Sequence, residues 1–189
     1  MQERTGVIQF SGNPMTLIGP EIKVGDKAPN FKVVDNDLQP VTLDDYKGKT
    51  KIICTVPSLD TPVCDAEIRR FNLEATTLKS DTVVLTISMD LPFAQKRWCA
   101  GADIEWVQTL SDYQELNFAA NYGVLIKELK LLSRSIFVID TEDVVRYIQH
   151  VSEITDEPDY SSALAALICV SKQNKCPARV PVGWVNLGA

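Results

Sequence analysis

The hydrophobic pattern of the chain predicts a strand–helix–strand unit in its first half. Two continuous apolar runs, residues 51–56 and 82–90, have the length of strands that are covered on both faces. Between them, apolar residues recur at steps of four, three, four and three from Cys64 to Leu78. That spacing predicts a helix with one apolar face, packed against the sheet.

Short apolar runs bounded by turn residues predict most of the remaining elements. They are a hairpin at 6–18, a strand at 31–34, a short helical segment at 41–50, a helix at 92–101 that stops at Gly101, and a hairpin of strands 135–140 and 144–150. A capping box formed by Ser111 and Gln114 predicts a further helix, which ends at Gly123. Pro158 predicts the start of the last helix.

This order of elements predicts an α/β protein with a central mixed sheet flanked by helices. A β-α-β core followed by a hairpin and a helix resembles the thioredoxin arrangement, here with an N-terminal β-hairpin and an inserted helix. Residues 171–189 show no periodicity. We therefore expect one domain over residues 1–170 and a C-terminal tail over 171–189.

Composition argues against some classes of binding partner and indicates the cellular compartment. The 189 residues suffice for one domain, and the net charge of −6 argues against nucleic acid and anionic membrane surfaces as partners. No run approaches the roughly 20 apolar residues of a transmembrane helix, and the N-terminus lacks the pattern of a signal peptide. Five irregularly spaced cysteines do not resemble a secreted disulfide framework, so we expect a reducing, cytoplasmic location.

The start of the first helix is the strongest candidate for chemistry. Thr61 is of a residue type preferred at the N-cap and Pro62 suits the first helical position, so we expect Cys64 in the first turn. Unpaired backbone N–H groups and the helix dipole favour a thiolate there. A buried, inert thiol is the commoner fate of a cysteine. Pro57 and Thr61 at fixed distances before Cys64 favour the functional interpretation.

Three motifs carry a resemblance to a known family. Pro57, Thr61 and Cys64 match the peroxiredoxin pattern P-x-x-x-T-x-x-C, and residues 90–99 (DLPFAQKRWC) and 153–160 (EITDEPDY) are similar to signatures of one branch. The chain thus resembles the Tpx-type thiol peroxidases, atypical two-cysteine peroxiredoxins, from about residue 7 to residue 167. The resemblance implies a homodimer that reduces hydrogen peroxide and alkyl or lipid hydroperoxides and is recycled by thioredoxin.

The resemblance also implies roles for five residues. Cys64 is the peroxidatic cysteine, Cys99 the resolving cysteine and Arg134 the active-site arginine, while Thr61 orients the reacting atoms and Pro57 limits water. The expected product is a sulfenic acid on Cys64, which condenses with Cys99 to a disulfide. Because a disulfide needs Cα atoms within about 7 Å, we expect the first turn at Cys64, the segment around Cys99, or both to unwind.

Two alternatives to an enzyme are open. A peroxide sensor or redox relay would use the same residues but stop after one oxidation, whereas an enzyme turns over. A non-catalytic thioredoxin-fold interaction module would show ordinary thiol reactivity at Cys64. Cys54 is expected in the core and His150 at the surface, and Cys169 and Cys176 are incidental thiols or a pair. With one histidine and no C-x-x-C or glycine-rich phosphate motif, neither a metal nor a bound cofactor is expected.

Overall fold

The computed structural model describes residues 2–78 and 81–171, which form ten strands and four helices. The strands are β1 (Glu3–Phe10), β2 (Asn13–Ile18), β3 (Lys32–Val34), β4 (Pro40–Thr42), β5 (Thr50–Thr55), β6 (Thr82–Ser88), β7 (Val107–Ser111), β8 (Leu125–Ile126), β9 (Ser135–Ile139) and β10 (Val145–His150). The helices are α1 (Pro62–Ala75), α2 (Pro92–Ala102), α3 (Asn117–Tyr122) and α4 (Tyr160–Ser171), with a 3₁₀ turn at Leu43–Tyr46.

A seven-stranded mixed sheet is the centre of the molecule. Its strand order is β10-β9-β5-β6-β7-β3-β4. β5 runs parallel to β6 and antiparallel to β9, and β6 runs parallel to β7. The predicted hairpin forms a second, three-stranded sheet in the order β1-β2-β8. The β5-α1-β6 unit and the β9-β10-α4 unit confirm the predicted thioredoxin-like arrangement.

β5 divides the core into two layers. All six of its residues are buried, as the continuous apolar run predicted. Ile52 and Cys54 pack on the face that α1 and α4 cover, whereas Ile53 packs on the opposite face with Phe118 and Tyr122 of α3. Cys54 is therefore a core residue, as expected.

The region after β6 differs from the prediction. Ser111 ends strand β7 instead of capping a helix, and its hydroxyl donates to the Asp90 carbonyl. The N-cap residue of α3 is Leu116, and the first turn is held by Asp112, whose carboxylate accepts hydrogen bonds from the backbone N–H groups of Phe118 and Ala119. The predicted capping box was wrong because tertiary pairing of β7 overrides a weak local motif. Gly123 does end α3, with a φ of 63°.

Smaller differences concern strands and helix ends. Strands β4, β7 and β8, which contain three, five and two residues, were not predicted. α2 continues past Gly101 and ends where Asp103 adopts a left-handed conformation. α4 begins two residues after Pro158.

The surface position predicted for His150 was wrong. It is half-buried, and its Nδ1 lies 2.8 Å from Ser135 Oγ. Burial lowers the pKa of His150 to about 4, so the ring is neutral near pH 7.

The proposed tail, with Cys176, lies outside the described residues apart from Ser171, the last residue of α4. None of the helices in the described ranges is long and apolar enough to cross a membrane.

Candidate active site

The first turn of α1 places the Cys64 thiol inside the protein. Thr61 has the extended backbone of an N-cap, with φ −124° and ψ 146°, and Pro62 is the first helical residue, as predicted. The N–H of Asp65 donates to the Thr61 carbonyl at 2.9 Å and closes the turn. Cys64 is 0% exposed, so its sulfur is shielded from bulk water.

Arg134 lies beside this sulfur although it is 70 residues away in sequence. The antiparallel pairing of Thr55 with Ser135 brings the start of β9 next to the end of β5, from which the loop to α1 departs. Arg134 Nη2 donates to Cys64 Sγ at 3.3 Å, and its Nε donates to the Ile154 carbonyl at 3.1 Å. The structure thus brings together Cys64 and Arg134, the two side chains that the family resemblance implied.

Glu67 is a site residue that sequence reasoning missed. It lies three positions after Cys64, on the same face of α1, and its carboxylate is ion-paired with Arg134 Nη1. The side chain is fully buried, and its Oε1 has no hydrogen-bond partner among the described residues. Burial raises the pKa of Glu67 to about 7, against the opposing effect of the Arg134 charge. The sequence signal for this role was a glutamate placed next to the apolar face of α1.

The loop before α1 is fixed by a second missed residue, Asp90. Its carboxylate accepts hydrogen bonds from Ser58 Oγ, Leu59 N and Ser88 Oγ, at 2.7 to 2.8 Å. Pro57 is half-buried at the start of this loop. The Thr61 hydroxyl donates to the Ser58 carbonyl at 3.3 Å, so in this state it supports the loop.

Cys99 is in a different environment from Cys64. Both thiols are free, and Cys99 Sγ lies 3.3 Å from Thr109 Oγ1 of β7. Cys99 is half-buried and lines a groove of about 450 Å³, together with Asp35, Asn36 and Trp106. The structure therefore does not bring the two predicted redox cysteines into a bond.

The arrangement at Cys64 suits a nucleophilic thiolate. A guanidinium that donates to sulfur stabilises the anionic form, and Glu67 together with the Ile154 carbonyl fixes its orientation. The same cation is positioned for negative charge that develops on an oxygen attacked by the sulfur.

Comparison with known proteins agrees with this chemistry. The sequence model of the Redoxin family matches residues 23–166. The chain belongs to the Redoxin family. Within it, the chain is 60% identical to a thiol peroxidase of Halalkalibacterium halodurans over 159 residues, 84% of this chain and 95% of that protein. It is 56% identical to a thiol peroxidase of Staphylococcus aureus, over 84% of this chain and 96% of that protein.

A solved structure also resembles this Redoxin protein. The crystal structure of a peroxiredoxin-like protein from Aquifex aeolicus has a TM-score of 0.80 and 43% identity, and the match covers 91% of this chain and 99% of that one. These relatives confirm the predicted membership among the thiol peroxidases and the predicted fold. They also confirm the enzyme class, a peroxiredoxin-type oxidoreductase.

Proposed function

We propose that this thiol peroxidase reduces hydroperoxides with Cys64 and transfers the oxidation to Cys99. One observation carries the proposal: a fully buried sulfur accepts a hydrogen bond from Arg134, which is itself ion-paired with the buried Glu67. A thiolate and a cation in a water-excluded site are what the attack on a peroxide requires.

The first step oxidises Cys64. Its thiolate attacks one peroxide oxygen, the O–O bond breaks, and the other oxygen leaves as an alcohol or water after taking up a proton. Cys64 becomes a sulfenic acid. Arg134 stabilises the thiolate and the charge on the leaving oxygen, while Thr61 orients the peroxide and Pro57 limits access of water.

The second step forms a disulfide. Cys99 attacks the Cys64 sulfenic acid as a thiolate, an S–S bond forms, and hydroxide leaves and combines with the thiol proton as water. In the reduced state the two sulfurs are hydrogen-bonded to different partners: Cys64 to Arg134, and Cys99 to Thr109. We propose that the first turn of α1, the segment around Cys99, or both unwind to bring the cysteines within disulfide distance.

The substrates and partners belong to the same proposal. Hydrogen peroxide and alkyl or lipid hydroperoxides are the oxidants, thioredoxin reduces the disulfide by exchange, and no metal or bound cofactor takes part. The working form is a cytoplasmic homodimer, and residues 1–170 form its peroxiredoxin domain.

Thioredoxin-coupled consumption of an alkyl hydroperoxide tests the proposal. We expect sustained turnover in the unmodified protein, none in Cys64→Ser, and none or a single cycle in Cys99→Ser. Cys54→Ser, at a buried cysteine outside the mechanism, is the matched control and retains turnover. A single oxidation that thioredoxin cannot reverse in the unmodified protein would reject the peroxidase cycle and favour the sensor.

A further inference from the structure

The thiol of Cys99 is held by a short chain of polar side chains. Its Sγ lies 3.3 Å from Thr109 Oγ1, and Asn36 Nδ2 donates to the same oxygen at 2.9 Å. The Thr109 hydroxyl, which accepts from Asn36, can donate its hydrogen to the sulfur or accept the thiol hydrogen. Cys99 is therefore directed towards β7 by a hydroxyl whose oxygen is held by Asn36.

This hydrogen bond holds Cys99 away from the Cys64 site. Cys64 is bonded to Arg134, which directly precedes β9, whereas Thr109 is in β7. The two thiols are free and are hydrogen-bonded to partners on different elements of the fold. A disulfide requires Cα atoms within about 7 Å. In the proposed cycle, Cys99 therefore leaves Thr109 as it moves to Cys64.

The two halves of α2 are anchored differently. Gln95, in the N-terminal half, is fully buried and donates to Ser88 Oγ and to the Leu110 carbonyl, at 3.0 and 2.9 Å. The C-terminal half contains the Cys99–Thr109 contact and a hydrogen bond from Arg69 to the Ala102 carbonyl. An opening of the C-terminal half of α2 breaks the bond to Thr109 and leaves the anchor at Gln95 in place.

We propose that Thr109 is a positioning residue for the resolving step, with Asn36 supporting it. It keeps the reduced Cys99 thiol out of reach, and loss of this hydrogen bond is part of the barrier to disulfide formation. The inference rests on the proposed function, in which Cys99 attacks the Cys64 sulfenic acid with release of water. It extends that function by naming the side chains that set the rate of this step.

The rate of this step decides the fate of the sulfenic acid. At high peroxide concentration, a second hydroperoxide molecule oxidises the sulfenic acid to sulfinic acid. The hydroperoxide itself is reduced to the alcohol or water in this reaction. Faster release of Cys99 directs more protein to the disulfide and less to the sulfinic acid. The bond to Thr109 therefore contributes to how much peroxide the enzyme tolerates.

Thr109→Val tests the proposal, since it removes the hydroxyl and preserves the shape of the side chain. Reduced protein is mixed with peroxide, stopped with a thiol-alkylating reagent, and analysed by mass spectrometry for sulfenic acid, disulfide and sulfinic acid. The matched control is Thr86→Val. Thr86 pairs with Thr109 in the sheet and is buried, but its hydroxyl has no hydrogen-bond partner among the described residues.

We expect Thr109→Val to form the disulfide roughly two- to tenfold faster, the factor that one hydrogen bond of ordinary strength contributes. The rate of Cys64 oxidation should not change, and more peroxide should be needed to produce sulfinic acid. Thr109→Ser, which keeps the hydroxyl, and Thr86→Val should behave as the unmodified protein. Asn36→Ala, which removes only the support, should accelerate the step by a smaller factor.

Each other outcome has a distinct meaning. Unchanged disulfide formation in both Thr109→Val and Asn36→Ala would overturn the inference. Slower formation in Thr109→Val would also overturn it, because the hydroxyl would then activate the thiol. Absence of a Cys64–Cys99 disulfide in the unmodified protein would reject the proposed function itself, and this inference with it.

Discussion

At the scale of single residues, the buried carboxylate of Glu67 decides how Arg134 is presented to the thiol. The guanidinium is 2% exposed and lies between Glu67, Cys64 and the Ile154 carbonyl. A buried arginine needs an anionic or strongly accepting partner, since removing one member of a buried ion pair costs about 3–5 kcal/mol. Glu67 is thus part of the site through its contact with Arg134.

Glu67 predicts a pH dependence of stability. Burial raises its pKa from 4.5 to about 7, so the folded protein binds this proton more tightly than the unfolded chain. The resulting stabilisation is fully present below pH 4.5 and is lost as the pH rises through 7. Glu67→Gln cannot titrate, so over this window the unmodified protein should lose up to about 3 kcal/mol of unfolding free energy relative to the variant.

Urea unfolding of both proteins from pH 4 to pH 8, with a reductant present, measures this difference. Asp112 and His150 also have shifted pKa values, but they are common to both proteins and cancel in the comparison. Glu74→Gln on the same helix, where Glu74 is ion-paired with Arg70, is the control for removing a charge nearer the surface. Parallel pH curves for Glu67→Gln and the unmodified protein would contradict the prediction.

At the scale of elements, the first turn of α1 holds Cys64. In the proposed cycle, this turn also has to unwind. Pro62 is an exposed residue at the first helical position, and its ring fixes one backbone dihedral angle. We expect Pro62→Gly to form the Cys64–Cys99 disulfide up to about fivefold faster, because glycine gains backbone entropy when the turn opens. Stopped-flow tryptophan fluorescence after one equivalent of peroxide measures the rate, and equal rates would reject the idea.

Asp112 gives a second prediction at this scale. Its carboxylate accepts two backbone N–H groups at the start of α3, whereas Gln114, the residue expected to complete a capping box, has an exposed side chain. Asp112→Ala should lower the unfolding free energy by about 1–2 kcal/mol, as the loss of a helix cap does. Gln114→Ala should change it by less than about 0.5 kcal/mol. Equal effects in denaturant unfolding would show that the Asp112 carboxylate does not stabilise the start of α3.

Several of the elements found from sequence carry an apolar pattern that local rules recognise. β5, β6, β9 and α1 each repeat an apolar pattern along the chain, so the pattern alone predicts them. The position of β7 depends on its pairing with β6, and no local motif in the sequence indicates that pairing. The serine that ends β7 consequently resembled a helix cap.

At the scale of the whole molecule, the site combines local and distant residues. Thr61, Pro62 and Cys64 are neighbours in sequence, so spacing and capping rules were sufficient to place them. Arg134 is brought to Cys64 by the pairing of β5 with β9, and only the family resemblance indicated it. Thr109 meets Cys99 through the packing of α2 on the sheet, a contact that no sequence pattern encodes.

Two exposed apolar side chains at the start of α2 give a prediction about the proposed homodimer. Leu91 and Phe93 are 51% and 65% exposed, and they lie next to Asp90, which fixes the loop before α1. Large apolar side chains grouped at a surface are typical of subunit contacts. We expect the unmodified protein to sediment with twice the mass of one chain and Phe93→Glu to shift towards the monomer, since the dimer would bury an unpaired charge.

Leu73→Glu is the matched control for this experiment. Leu73 is also 65% exposed, but it lies in the C-terminal half of α1, beyond the loop that Asp90 fixes. If Phe93→Glu and Leu73→Glu both leave the sedimenting mass unchanged, the contact is elsewhere. If the unmodified protein is a monomer at every concentration tested, the homodimer is wrong. A monomer that retains thioredoxin-coupled turnover would further show that Cys64, Arg134 and Cys99 form a complete site within one chain.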